Sequence, residues 1–261
     1  MQFGFGVLMF VIGAIIGSFL CCQVRRIELL STKKKSLGPR SVCMHCKKQL
    51  TWYENIPIIS WLIQGGKCRK CKTKIGCGEI LAEIGLATAF ACISTTIDVY
   101  SASSVDWIKF CMIILFVANL GFLAIYDGIY GELPNIALYS SFILSLAIVL
   151  VSHWGAFTWD VLLDTLFAVA VLGGIYLFLY LISKGKWVGD GDWILGSVIA
   201  IALGKPWLAL ITLFLSNIIA CAVMYPLVKH KNKKQIYFGP FLVIAYIITV
   251  TFSILLESMI I

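Results

Sequence analysis

The chain has 261 residues, of which 60% are hydrophobic and 13% charged, and its mean hydropathy of +0.95 excludes an ordinary soluble globular domain. Its net charge of +8 does not indicate a nucleic-acid partner, because Lys and Arg fall in the gaps between apolar segments and form no patch on a soluble surface. The composition therefore predicts an all-α, polytopic membrane protein.

Eight apolar segments follow one another along the chain, and most are long enough to cross the ~30 Å hydrocarbon core as helices. Their approximate ranges are 5–24, 80–98, 107–126, 136–154, 161–182, 193–203, 207–228 and 237–256. The sixth has about half the length of a full span, so it is either a short span or a partly re-entrant segment. The sequence predicts a transmembrane bundle of about eight helices.

The distribution of basic residues predicts the orientation of this bundle. With the amino terminus outside, the connections 25–79, 127–135, 183–192 and 229–236 lie in the cytoplasm. They then contain every Lys and Arg of the chain except Lys109 and Lys205. The positive-inside rule selects this orientation.

The first of these connections contains two CxxC pairs, Cys43 with Cys46 and Cys68 with Cys71. This spacing is typical of a zinc ribbon, in which each tight turn supplies two thiolates. A pair of disulfides is the alternative, but a cytoplasmic connection lies in a reducing compartment. Because four thiolates leave no coordination position for water, the predicted zinc is structural.

Asp127 and Asp192 each lie where an apolar segment meets the cytoplasm, next to residues that loosen the backbone. These neighbours are Gly128, Gly131 and Pro134 in one case and Gly189 and Gly191 in the other. Packing the third and sixth segments side by side would bring the two carboxyl groups together. Two carboxylates in a low-dielectric site share one proton, which provides the acid and the base of an aspartyl protease.

Five further residues are candidates for shaping this site. Gly189 and Gly191 lack a Cβ and would let backbone and substrate approach Asp192 closely. Glu83, about one turn inside the second segment, either pairs with a basic residue of the connection or lines a polar cavity that faces the site. Glu132 is a loop carboxylate suited to a basic peptide, and Pro134 belongs to the turn after Asp127. Asp190 is the alternative to Asp192 as the second catalytic residue.

Several motifs resemble those of one family of membrane proteases. Gly189-Asp190-Gly191-Asp192 matches the GxGD motif of intramembrane aspartyl proteases, which favours Asp192 over Asp190. Asp127 followed by Pro134 resembles the first-aspartate motif of type IV prepilin peptidases. Residues 17–20 (GSFL), 52–57 (WYENIP) and 60–62 (SWL) are similar to further motifs of that family. The resemblance, to the prepilin leader peptidase/N-methyltransferase family, covers nearly the whole chain.

This resemblance implies a protease of the bacterial cytoplasmic membrane that cleaves the short basic leader of prepilins or pseudopilins at the cytoplasmic face. Such enzymes serve type IV pili, protein secretion or competence. It also implies an N-methyltransferase that uses S-adenosylmethionine. Residues 1–79 would then hold the first helix and the four-cysteine connection of the methyltransferase region, and residues 80–261 the protease bundle. The chain departs from the family pattern at Cys21, usually Asn, at residues 78–80, usually Arg-Tyr-Pro, and at Ile194, usually Lys.

Two other classes of protein are compatible with parts of the sequence. A proton- or cation-coupled transporter could use the same aspartates, but transporters favour midplane sites and internal repeats, and neither is seen here. A non-enzymatic zinc-bound scaffold would leave the paired aspartates unexplained. The chain has no HExxH, GxSxG or P-loop motif, which argues against metalloprotease and serine hydrolase chemistry.

Overall fold

The computed structural model describes residues 2–31, 41–43, 45–231 and 237–260, without the side chains of 28–31, 225–231 and 254–260. Within these ranges the chain forms helices, two short 3-10 turns and two isolated β-bridges. The helices are α1 (Gln2–Ser31), α2 (Ile59–Ile63), α3 (Cys77–Ile93), α4 (Ser104–Tyr130), α5 (Asn135–Ser152), α6 (Trp159–Ser183), α7 (Asp190–Leu203), α8 (Pro206–Lys231) and α9 (Gly239–Ile260). The predicted all-α class is confirmed.

Six helices in the described part of the chain are long and apolar enough to cross a membrane. They are α1, α3, α4, α5, α6 and α8. The described apolar part of α9 is shorter, at Gly239–Ser253, and α7 has 14 residues. The eight described helices other than α2 lie at the positions of the eight predicted segments, including the short sixth one. With six helices able to cross a membrane, the chain is a multi-pass membrane protein.

The chain divides into two compact units, Met1–Ser94 and Thr95–Ile261. In the first unit α1 and α3 pack along each other, because glycines in α1 let the two backbones approach. A Cβ on Gly13 would lie 2.5 Å from the carbonyl oxygen of Leu86, and one on Gly17 would lie 2.9 Å from Glu83 Cα. This spacing of small residues is typical of close helix pairs in membranes. The second span thus packs with the first, while the functional boundary expected between residues 79 and 80 remains a prediction.

The second unit is a bundle of α4 to α9. Helix α4 packs on α5 and α9, and α7 packs on α5, α6, α8 and α9. The centre of the unit is apolar and fully buried, with Leu120, Leu172, Leu195 and Leu242 from four different helices. Because α5 and α9 each contact both α4 and α7, they connect the two helices that carry Asp127 and Asp192.

Candidate aspartate site and cysteine cluster

Asp127 lies in the last turn of α4, and its side chain is only 5% exposed. Its Oδ2 atom accepts a hydrogen bond of 3.0 Å from the backbone N–H of Gly239, the first residue of α9. A Cβ on Gly239 would lie 2.8 Å from the same oxygen, so a side chain at this position would displace the carboxylate. Sequence reasoning missed Gly239. The only local signal for it is the Gly239-Pro240 pair at the start of an apolar segment.

Asp192 lies in the first turn of α7 and is half-buried. Its Oδ2 atom accepts a hydrogen bond of 3.0 Å from the backbone N–H of Gly189, which precedes the helix. The carboxylate thereby satisfies a backbone donor that the start of a helix would otherwise leave without a partner. The helix begins at Asp190, three residues before the predicted segment, and the Asp190 side chain is exposed.

Both aspartates line one cavity of about 390 Å³ in the second unit. Its described lining consists of Asp127, Gly131, Glu132, Leu133, Asn135, Gly189, Asp190, Gly191, Asp192 and Ile194. The turn after α4 lies directly on the start of α7, since a Cβ on Gly191 would be 2.7 Å from Leu133 Cδ1 and 2.9 Å from its Cβ. The structure therefore brings Asp127 and Asp192 to one site through this turn and the shared neighbours α5 and α9.

The other residues expected to shape the site have different positions. Glu132 is exposed and lines the same cavity as the aspartates. Pro134 caps α5, where its carbonyl accepts hydrogen bonds from the backbone N–H groups of Ala137 and Leu138. Glu83 belongs to the first unit and lines a polar cavity there, with its carboxylate bonded to a backbone N–H. Glu83 therefore lines a cavity within the first unit, and its predicted part in shaping the aspartate site stays a prediction.

A buried polar contact supports the start of α9, which carries Gly239. Asn217 of α8 donates a hydrogen bond of 3.1 Å to the Tyr176 hydroxyl of α6, and the Ser216 hydroxyl lies 3.1 Å from the same oxygen. The Tyr176 ring packs on Phe238 with ring centroids 5.2 Å apart. This chain of contacts connects α8 and α6 to the residue before Gly239, and sequence reasoning gave no signal for it.

The four cysteines of the two CxxC pairs form a cluster. The sulfur atoms of Cys43, Cys46, Cys68 and Cys71 all lie within 4.8 Å of one another. The Cys43 and Cys71 sulfurs are 3.8 Å apart, close to the ~3.8 Å edge of a tetrahedron with Zn–S distances of ~2.3 Å. All four are free thiols. The donor set and its geometry fit a tetrahedral metal ion.

The two CxxC pairs share one backbone geometry. Cys43 N–H donates to the Lys48 carbonyl and Cys68 N–H to the Thr73 carbonyl, both at 2.9 Å. In each turn the residue after the second cysteine, Lys47 or Lys72, has a left-handed conformation with φ of 57°. Each turn thereby directs its two sulfur atoms to the same point, as metal-binding turns require.

Hydrogen bonds favour the thiolate form at two of these cysteines. The Thr73 hydroxyl, 3.3 Å from Cys71 Sγ, and the Thr73 backbone lower the pKa of Cys71 to about 6. The backbone N–H of Cys46 lowers the pKa of Cys43. Because thiolates are the form that binds metal, these bonds favour metal binding at Cys43 and Cys71.

Glu54 anchors the segment between the two CxxC pairs. It lies in the 3-10 turn Trp52–Asn55, is 6% exposed, and accepts hydrogen bonds from the Thr51 backbone N–H at 3.0 Å and Lys48 Nζ at 2.9 Å. The Thr51 bond and the Lys48 ammonium lower the pKa of Glu54 to about 2. The carboxylate therefore ties the turn to the first CxxC pair.

Comparison with known proteins identifies the relatives of the chain. A family model described as the bacterial peptidase A24 N-terminal domain matches residues 11–97. The prepilin leader peptidase/N-methyltransferase of Bacillus subtilis (strain 168) is 31% identical over 207 residues, which cover 77% of this chain and 75% of the relative. The protein of the same name from Vibrio cholerae is 26% identical, and the match covers 97% of this chain and 99% of the relative. The one from Pseudomonas aeruginosa is 25% identical, and the match covers 90% of this chain and 86% of the relative.

No solved structure matches the chain. The match to the Bacillus subtilis protein exceeds 30% identity across three quarters of both sequences. It agrees with the resemblance predicted from the GxGD, GSFL and WYENIP motifs. The chain belongs to the prepilin leader peptidase/N-methyltransferase family.

Proposed function

We propose that the chain is a membrane endopeptidase that removes the leader of prepilins or pseudopilins with Asp127 and Asp192, and then methylates the new amino terminus. One observation supports the protease assignment above all others. Carboxylates from two separate helix ends line one cavity of about 390 Å³. The relatives are named as peptidases and methyltransferases, so the transporter alternative has no support among them.

The two aspartates would divide the acid and base roles of peptide hydrolysis. Negative charge is favoured at Asp192, at the amino end of α7, more than at Asp127, at the carboxyl end of α4. The Asp192 carboxylate would take a proton from water as the water oxygen bonds to the peptide carbonyl carbon, while protonated Asp127 donates to the carbonyl oxygen. The C–N bond then breaks as the leaving amine takes the proton held by Asp192, and a hydroxyl of the tetrahedral carbon returns a proton to Asp127.

The charge of the cavity suits a basic leader peptide. Glu132 and Asp190 are exposed carboxylates that line it beside the two aspartates. Acidic groups concentrated in one cleft attract a cationic substrate and raise its local concentration. Glu132 and Asp190 would therefore contact basic residues of the leader, while Asp127 and Asp192 act on the peptide bond.

The protein would lie in the bacterial cytoplasmic membrane with its amino terminus outside and the aspartate cavity at the cytoplasmic face. This orientation is supported by Lys184 and Lys186, which lie between α6 and α7 at the end of the unit that holds Asp192. Lys109 and Lys205 lie near the opposite ends of α4 and α7. The basic connection 232–236 is outside the described residues.

The cysteine cluster would hold a structural zinc ion. All four sulfur atoms can serve as ligands, so the ion would have a complete tetrahedral shell with no position for a reacting water. Its contribution would be to fold the connection between α1 and α3. Zinc binding and peptide cleavage would then depend on different residues.

Methyl transfer would use S-adenosylmethionine and the first unit, which contains most of the match to the peptidase A24 N-terminal domain. When bound, S-adenosylmethionine would supply the methyl group to the new terminal amine, which would release one proton to water. The donor thus supplies a methyl group that needs no metal or external oxidant.

Substitution of each aspartate tests the protease assignment. Asp127→Asn and Asp192→Asn should each abolish leader cleavage by purified protein in lipid vesicles, measured by sequencing the amino terminus of a prepilin product. Zinc content should equal that of the unmodified protein, which shows that the variants are folded. Full cleavage by either variant would refute the assignment, and proton flux without any cleavage would favour a transporter.

A further inference from the structure

Tyr176 is a buried tyrosine of α6 that the proposed reaction does not use. Its side chain is 2% exposed, and it lies in the second unit, about two turns before the end of the helix at Ser183. A buried tyrosine combines a large apolar ring with a hydroxyl that needs a hydrogen-bond partner. The contacts of this ring and hydroxyl lead to both of the elements that hold the proposed catalytic pair.

Two residues of α8 fix the hydroxyl of Tyr176. Asn217 Nδ2 donates to it at 3.1 Å, and the Ser216 hydroxyl oxygen lies 3.1 Å from it. Ser216 donates its own proton to the Leu213 carbonyl at 2.9 Å, so the proton between the two hydroxyls comes from Tyr176. A phenol has one proton to donate, and this one is already used. Tyr176 therefore does not supply a proton to peptide hydrolysis.

The ring of Tyr176 packs on the start of α9. Its centroid lies 5.2 Å from that of Phe238, with the two planes at 61°. Phe238 directly precedes α9, and its carbonyl accepts hydrogen bonds from the first turn of that helix. The next residue, Gly239, holds Asp127 Oδ2 through its backbone N–H at 3.0 Å. A shift of Phe238 would therefore move the N–H group that holds Asp127.

The same ring lies against α7, one turn from Asp192. A Cβ on Gly196 would lie 3.3 Å from Tyr176 Cδ2, so the ring occupies the space beside this glycine. Gly196 follows Asp192 by four positions, and residues with this spacing share one face of a helix. Helices α6 and α7 approach closely here, since a Cβ on Gly173 would lie 3.0 Å from Ser197 Cα. The ring thus packs on the face of α7 that carries Asp192.

We propose that Tyr176 is a positioning residue that sets the placement of Asp127 relative to Asp192. The two aspartates belong to separate helices, so their separation depends on supports that both helices share. The Tyr176 ring is such a support, because it contacts the residue before Gly239 and the Asp192 face of α7 while α8 fixes its hydroxyl. This inference rests on the peptidase half of the proposed function and extends it to a residue outside the described cavity lining.

Kinetics of leader cleavage by the full-length protein in lipid vesicles test this role. Tyr176→Leu removes the ring and should reduce kcat by roughly 10²-fold, with KM within about twofold, because misplaced catalytic groups slow the chemical step. Tyr176→Phe keeps the ring between α7 and α9 and should lose no more than about tenfold, the effect of one hydrogen bond. A raised KM with normal kcat in Tyr176→Leu, or equal losses of kcat in both variants, would overturn the role of the ring.

Tyr246→Leu is the matched control for the loss of a buried ring. Tyr246 is 1% exposed, and its ring packs on Phe116 with centroids 5.5 Å apart. It lies outside the described lining of the aspartate cavity. Tyr176→Leu and Tyr246→Leu should lower the melting temperature by similar amounts, while Tyr246→Leu keeps kcat within about threefold. Equal losses of kcat in these two variants would assign Tyr176 a role in folding alone and overturn the proposal.

A combined variant tests whether Tyr176 acts through Gly239. Residues that act through one contact have non-additive effects, whereas independent losses multiply. Tyr176→Leu combined with Gly239→Ala should therefore cleave at least about tenfold faster than the product of the two single losses predicts. Tyr246→Leu combined with Gly239→Ala should match that product. Multiplied losses in the Tyr176 combination would overturn the proposed connection.

Failure of the positioning role and failure of the protease assignment give different results. Absence of cleavage by the unmodified protein, or full cleavage by Asp127→Asn, would refute the protease assignment itself. Cleavage by the unmodified protein together with an unchanged kcat in Tyr176→Leu would refute only the positioning role.

Discussion

The backbone N–H of Gly239 holds the carboxylate of Asp127, 112 positions away in the chain, with a hydrogen bond of 3.0 Å. The contact requires glycine, because a Cβ at position 239 would lie 2.8 Å from Asp127 Oδ2 and 3.3 Å from Cγ. Gly239 is therefore a positioning residue for Asp127 in the proposed reaction. It connects the start of α9 to the end of α4.

Gly239→Ala should reduce leader cleavage by roughly 10²-fold, the effect expected when a catalytic group moves by about 1 Å. The added methyl group would push the Asp127 carboxylate out of the cavity. Cleavage rates in lipid vesicles measure the effect, and the change should appear in kcat. Gly128→Ala is the matched control, since a Cβ at 128 would meet only Pro240 Cγ at 3.9 Å. Equal activity of the two variants would contradict the positioning role.

Gly13→Val should weaken the pairing of α1 with α3 by separating the two backbones. A Cβ at position 13 would lie 2.5 Å from the Leu86 carbonyl oxygen and 2.8 Å from Ala87 Cα. A side chain at this position would therefore force α1 and α3 apart. We expect a lower melting temperature for the first unit, measured by thermal unfolding in detergent. Gly4→Val should have little effect, because a Cβ at Gly4 has no neighbour within 4 Å. Equal melting temperatures for Gly13→Val and Gly4→Val would contradict this role of Gly13 in the pairing of α1 with α3.

Cys71→Ser should remove most of the zinc that copurifies with the protein. The substitution eliminates one of four ligands and the thiolate that Thr73 stabilises. Elemental analysis should find about one zinc ion per unmodified chain. Cys77→Ser is the control, since Cys77 is exposed and outside the cluster. Undiminished zinc in Cys71→Ser, or loss of zinc in Cys77→Ser, would exclude the proposed ligand set.

The Glu54 anchor predicts a pH dependence of stability with a definite sign. The pKa of Glu54 is lowered from 4.5 to about 2, so the folded state favours the carboxylate. The stabilisation is complete above pH 4.5 and is lost as the pH falls toward 2. The unmodified protein should melt at a higher temperature than Glu54→Gln at pH 7, and the difference should shrink between pH 4.5 and 2. Zinc release at low pH affects both proteins, so only their difference is diagnostic. A difference independent of pH would contradict the carboxylate's role.

Local features of the sequence determined much of the architecture. The apolar segments predicted the positions of eight described helices, six of which are long and apolar enough to cross a membrane, and the short sixth segment predicted the short helix Asp190–Leu203. The spacing of the two CxxC pairs predicted the cysteine cluster, since two such turns present four sulfur atoms once they face each other. These features depend on helix length and on turn geometry. Both are set by residues close together in the chain.

The sequence also identified Asp127 and Asp192 as carboxylates at helix ends, but only the tertiary structure decided that they line one cavity. Helices α5 and α9 connect α4 and α7, and Leu133 occupies the space that Gly191 leaves. The Gly239 contact with Asp127, the Glu83 contact with Ile58 and the Tyr176 contact with Phe238 had no counterpart in any motif. Each depends on which helices or loops become neighbours, and hydrophobic pattern and spacing do not specify that choice. Packing among distant segments determines it.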